Sequence, residues 1–73
     1  MDHEMRMNLA GRVTEYVLRR HPDVIAVAVT GSTAKAEDRE HSDLEMTAIT
    51  EGEPDTHYYQ LIHGGIVVEV AFL

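Results

Sequence analysis

The sequence predicts an α+β fold, a small mixed β-sheet with helices packed on one face. An apolar stripe at helical spacing runs through residues 2–20, and further on come segments of β-branched and apolar residues. Glycine, proline or polar clusters separate these segments, as turns require. With 73 residues the chain is expected to be one domain, spanning 1–73. That length lies near the lower limit for independent stability.

Residues 2–20 read as an amphipathic helix. Met5, Leu9, Val13, Tyr16 and Val17 make its apolar stripe, with Arg6, Arg12, Glu15 and Arg19 elsewhere. Asp2 suits the N-cap, and Arg19, Arg20 and His21 suit the C-terminal turn before Pro22 stops the helix. Val24–Thr30 is a continuous apolar run, expected as a buried strand. Gly31-Ser32 turns the chain, and Thr33–Arg39 holds helix formers that Ser32 is placed to cap. A polar linker occupies residues 40–42.

Leu44–Thr50 reads as the second strand. Asp43, Glu45, Thr47 and Ile49 fall on one face, and Leu44, Met46 and Ala48 on the other. Gly52 and Pro54 mark 51–56 as loop. Tyr58–Ile62 and Ile66–Leu73 flank His63-Gly64-Gly65, the pattern of a hairpin with glycines at left-handed turn positions. In the last strand Ile66, Val68, Val70 and Phe72 share one face, and Val67, Glu69, Ala71 and Leu73 the other. The helices should cover the apolar face and leave Asp43, Glu45 and Glu69 on the opposite one. Because the chain stops inside an apolar strand, it reads as a truncated piece of a larger domain or one that completes itself by oligomerising.

Composition narrows the function. The formal charge is −7, from 13 acids against 6 Lys plus Arg. A surface built to grasp nucleic acid needs a basic stripe, which this balance argues against. The charge fits contact with polyanions through a metal ion, or attraction of a cationic substrate. Cysteine is absent, which removes disulfides, thiolate nucleophiles and zinc–cysteine sites. No apolar run approaches the roughly 20 residues of a membrane-spanning helix. A cytoplasmic location is expected. The five histidines lack metal-ligand spacing and read as surface residues.

The chemistry-bearing pattern is Gly31-Ser32 after an apolar strand, then Asp43-Leu44-Glu45, then Glu69 inside an apolar run. Carboxylates at i and i+2 leave one face of a strand about 6–7 Å apart, a separation that lets both reach a shared pair of metal ions. Carboxylate oxygens are the preferred protein ligands of Mg²⁺. Glu69 on a neighbouring strand would complete the shell of one ion. A charge within an apolar run is expensive unless something pairs with it. The amides of Gly31 and Ser32 at a helix start suit phosphate oxygens, and Lys35 could add a point charge. The set points to metal-dependent phosphoryl or nucleotidyl chemistry.

These residues resemble the nucleotidyltransferase superfamily that includes DNA polymerase beta. The matching segments are Val29-Thr30-Gly31-Ser32, Ser42-Asp43-Leu44-Glu45-Met46 and Val68-Glu69-Val70. Within the superfamily the chain is most similar to the N-terminal core of the kanamycin (aminoglycoside 4′-O) nucleotidyltransferases, over Val24 to Leu73. The resemblance implies transfer of a nucleoside monophosphate from an NTP to a hydroxyl of a small acceptor, as in antibiotic resistance. It implies two Mg²⁺ ions held by Asp43 and Glu45, with Glu69 on the catalytic one. It also implies triphosphate binding by Gly31, Ser32 and Lys35. Complete enzymes of that kind are longer and build their site across a dimer. Two alternatives stand beside the enzyme core. One is a minimal nucleotidyltransferase-like antitoxin or partner-binding module that pairs with a helical protein. The other is an inactive fragment that folds by oligomerising.

Overall fold

The computed structural model describes residues 1–73 and follows the order α1 (His3–Arg20), β1 (Val24–Thr30), α2 (Gly31–Ala34), β2 (Leu44–Thr50), β3 (Tyr58–His63), β4 (Ile66–Phe72). The strands form one mixed sheet in the spatial order β1-β2-β4-β3. Strands β1 and β2 are antiparallel, β2 and β4 parallel, and β3 and β4 antiparallel. The α+β expectation holds.

Helix α1 begins as its cap residue dictates: the Asp2 carboxylate accepts a hydrogen bond from the Met5 amide at 2.8 Å. Its buried face is Arg6, Leu9, Ala10, Val13 and Val17. Two members of the expected stripe lie outside it, since Met5 is 55 % exposed and Tyr16 47 %. Arg6 takes the inward position instead. No helix in the chain is long and apolar enough to cross a membrane.

Alternation in β2 and β4 supplies the other half of the core. Leu44, Met46 and Ala48 on β2 and Ile66, Val68, Val70 and Phe72 on β4 are all buried. Residues of this kind contribute about 1.5–3 kcal/mol each when fully buried. Phe72 is flanked by the rings of Tyr59 and His21, with centroids 5.6 and 4.7 Å away. The hairpin closes through Gly64 and Gly65, at φ 58° and 81°, the left-handed pair a two-residue turn needs.

Two expectations need correction. Strand β1 is an edge strand with only Val24 buried, rather than a strand covered on both sides. Its apolar run packs Val27 and Val29 against the core and turns Ala26 and Ala28 to the open face, with a register shift between Val24 and Ala26. The second helix is a single turn, Gly31–Ala34, and does not run to Arg39. Lys35 closes it, and Ala36 follows with φ 56°, a left-handed value that ends helical geometry. Its N-cap is Thr30 and not Ser32.

The segment after α2 is held from below by Arg6. The side chain of Arg6 is completely buried, and its guanidinium donates to the Asp38 carboxylate and to the carbonyls of Met1, Arg39, Glu40 and Ser42. A buried guanidinium is tolerable only when its donors are satisfied in this way. His3 meets the other Asp38 oxygen through Nδ1 at 2.6 Å. Burial pushes the Asp38 carboxyl up, but the hydrogen bonds from His3 and Arg6 outweigh it and hold the group below its ordinary value. This clamp fixes the loop that delivers Asp43 to the start of β2.

Candidate functional site

One row of side chains crosses the whole sheet. Thr30 pairs with Glu45, Glu45 with Glu69, and Glu69 with Gln60. Directly paired residues share a face, so these four line the side away from α1. Asp43 precedes β2 by one residue and stands two before Glu45. For Glu45 and Glu69 the register gives the expected face opposite α1, while Asp43 lies outside the ladder and α2 begins beside the Glu45 carboxylate.

No strand contains Lys or Arg, so the two central carboxylates have no basic neighbour on the sheet. Polar groups steady them instead. The Thr30 hydroxyl donates to the Glu45 carbonyl at 3.1 Å, tying the turn before α2 to the acidic strand. Gln60 Nε2 donates to Glu69 Oε1 at 3.0 Å. Tyr58 lies on the same face, one row along, opposite Ala71. Burial pushes its phenol up, and the nearby charges of Glu69 and Asp43 push it further, so the O–H keeps its proton and remains a donor.

Gly31 is bound sterically to Glu45. It has φ +67°, and a Cβ there would stand 2.9 Å from the Glu45 Cδ. The glycine therefore gives the Glu45 carboxylate its place beside the turn, whereas the sequence suggested only that its amide suits a phosphate oxygen. Ser32 follows in the same turn, and the Thr33 hydroxyl behind it is buried without a hydrogen-bond partner. Lys35 is exposed at the far end of α2 from Gly31.

The side chains of the row offer oxygen donors, the type a hard cation takes: Glu45 and Glu69 share a face, and Asp43 stands two residues before Glu45. Glu45 turns toward Gly31 and Glu69 toward Gln60, and no group of three acids or histidines is drawn together as a preformed metal cage. The acids lie on an open sheet face. The surface concavities lie elsewhere, at the α1–β1 corner, between α1 and β3, and beside the amino terminus. Sequence reasoning missed Gln60 and Tyr58. Alternation along Tyr58–His63 was the available signal, since it sends Tyr58 and Gln60 to the acidic face and Tyr59 to Phe72.

Comparison with protein-family models finds no match, and comparison with curated proteins finds none either.

Proposed function

We propose that the chain is the core of a Mg²⁺-dependent nucleotidyltransferase acting on a small hydroxylated acceptor. The aminoglycosides are the acceptor class its motifs resemble. The carrying observation is the β2–β4 register, which sets Glu45 beside Glu69 on a face without a basic residue. Like charges directly opposed are unfavourable, and a divalent cation relieves them. Asp43 and Glu45 would hold both ions, with Glu69 on the catalytic one. Mg²⁺ held there would acidify the attacking hydroxyl and neutralise charge on the leaving pyrophosphate. Gly31 and Ser32 offer backbone amides to the triphosphate, with Lys35 as the nearest basic side chain along the chain.

Incubation with Mg²⁺, labelled ATP and an acceptor panel including kanamycin and a protein tests the reading. Transfer to a small acceptor, abolished by Asp43→Asn, is expected. ATP binding indifferent both to Mg²⁺ and to Asp43→Asn sinks it.

A second reading has its own observation. Leu9, Val13, Tyr16 and Leu61 line a groove between α1 and β3, while Ile25 and Ile62 are 65 % and 76 % exposed. A second copy or a helical partner would cover such surface, which favours a nucleotidyltransferase-like partner-binding module. Transfer to the protein acceptor, or a solution mass above the monomer with no transfer, selects this reading or the inactive oligomerising fragment.

A further inference from the structure

We propose that the free edge of β3 is a pairing strand for a second copy of this chain, joining two sheets antiparallel about an axis at Gln60. The inference deepens the partner-covered reading of this surface given above and is independent of the metal site. Strand β3 ends the sheet and pairs with β4 alone. Natural sheets guard such edges with a lysine, a proline or a bulge. None of these protects β3: Tyr58–His63 runs in unbroken register and contains no Asp, Glu, Lys, Arg or Pro. The other edge strand, β1, carries a register shift between Val24 and Ala26.

Backbone geometry sets the register of the new pair. The Phe72 amide donates to the His57 carbonyl, which makes these two a hydrogen-bonded pair next to Tyr58 and Ala71. Such pairs alternate along an antiparallel ladder, so Tyr59, Leu61 and His63 turn their backbone groups toward β4. Tyr58, Gln60 and Ile62 turn theirs off the sheet. A two-fold axis at Gln60 sets Gln60 against Gln60 of the second copy, and Tyr58 against its Ile62. Every outward amide and carbonyl of the strand is then paired. The side chains agree with this register. Tyr58 and Ile62 are each more than half exposed and share the face away from α1, and they meet twice as aromatic–β-branched cross-strand pairs. On the other face Leu61, which lines the groove beside Leu9 and Val13, meets Tyr59 of the second copy.

Charge favours this contact between copies. Each chain carries a formal −7, so two copies repel except across a surface without acids. The nearest acid on the sheet, Glu69, lies one strand behind β3. Across the axis the two Glu69 backbones stand three strand spacings apart, roughly 14 Å. That exceeds the screening length of about 8 Å at physiological salt. Any extended peptide could satisfy the backbone edge, but a copy of β3 also brings Ile62 to Tyr58 and Tyr58 to Ile62.

The test uses the full chain. Sedimentation over a concentration series reads the dissociation constant, and thermal melting checks that each variant folds. The wild type is expected to reach twice the chain mass. Ile62→Lys adds an edge guard at an exposed position and should raise the dissociation constant about tenfold. The lysine also lessens repulsion between two acidic copies, so weaker association reports on the strand itself. Gln60→Cys reads the register, because residues opposed in this way have Cα atoms about 5.5 Å apart, within disulfide reach. The chain has no cysteine of its own to confuse the result. Mild oxidation should link the Gln60→Cys chains faster than Ile25→Cys, an exposed position on the other edge strand. Equal rates overturn the inference, as does an unchanged dissociation constant in Ile62→Lys. Either result leaves the partner-covered reading standing, since the copies then meet elsewhere. A wild type that stays monomeric at every concentration overturns the inference and leaves a helical protein as the partner in that reading.

Discussion

Glu45 and Glu69 are direct neighbours in the parallel β2–β4 ladder, two acidic residues paired at the centre of a four-strand row. Their row partners at the outer strands are Thr30 and Gln60, both neutral. The centre of the open face therefore carries charge that no side chain on the sheet cancels.

Removing one of the two charges should stabilise the metal-free fold. Glu69→Gln is expected to raise stability by about 0.2–1 kcal/mol in low-salt buffer without divalent ions. Added Mg²⁺ should raise the melting temperature of the wild type and leave the variant unmoved. Thermal melts of both proteins, with and without Mg²⁺, check the sign of each change. A wild type indifferent to Mg²⁺ contradicts the expectation.

Gly31→Ala combines two faults. A left-handed backbone disfavours any Cβ by about 1–2 kcal/mol, and this one would also run into the Glu45 carboxylate. Urea unfolding should show at least that loss. Gly11→Ala, a position with open space around it and helical geometry, should be neutral or stabilising. Equal stability of the Gly31 variant and the wild type would refute the steric account of the turn.

Acid should loosen the Arg6–Asp38–His3 clamp. The folded-state value of Asp38 is lowered, so its contribution is fully present above the unfolded carboxylate value of about 3.9. It fades as pH falls from there through the lower folded value. Asp38→Asn should remove that part of the pH dependence, flattening stability below about pH 4 relative to wild type. Denaturant midpoints at closely spaced pH values provide the comparison. Arg6→Met should destabilise more than Arg12→Met at neutral pH, because Arg12 is exposed while Arg6 is enclosed by five acceptors.

Tyr59→Phe should be neutral or stabilising, by up to about 1 kcal/mol. The ring packs on Phe72, while the hydroxyl is buried without a hydrogen-bond partner. Burial also pushes the Tyr59 phenol up, so wild-type stability falls above about pH 10, where the unfolded tyrosine ionises. The phenylalanine variant should lack that contribution to the alkaline loss, as melts between pH 8 and 11 would reveal.

Strict alternation made β2 and β4 legible: Leu44, Met46, Ala48, Val68 and Val70 could face only one way once Glu45 and Glu69 faced the other. The hairpin was equally plain in Gly64-Gly65. Helix α1 was readable in extent but not in its inward face. Arg6 belongs to no apolar stripe, and only the carbonyls of a loop far along the chain make its burial tolerable. Helix α2 was overestimated because Ala34, Lys35, Ala36 and Glu37 have high helix propensity. The turn at Ala36 and the grip of Arg6 on residues 38–42 override it. Gln60 escaped notice because its meaning depends on β3 lying next to β4 in a register that brings it to Glu69.

The topology also decides when the acidic row exists. A calcium loop carries its ligands within one short stretch of chain and can gather them around an ion locally. Here Glu45 and Glu69 belong to strands that become neighbours only when β4 inserts between β2 and its own hairpin partner. An unfolded chain holds the two carboxylates apart. The acidic row is therefore a property of the finished sheet, and an ion bound to it would add its binding free energy to folding.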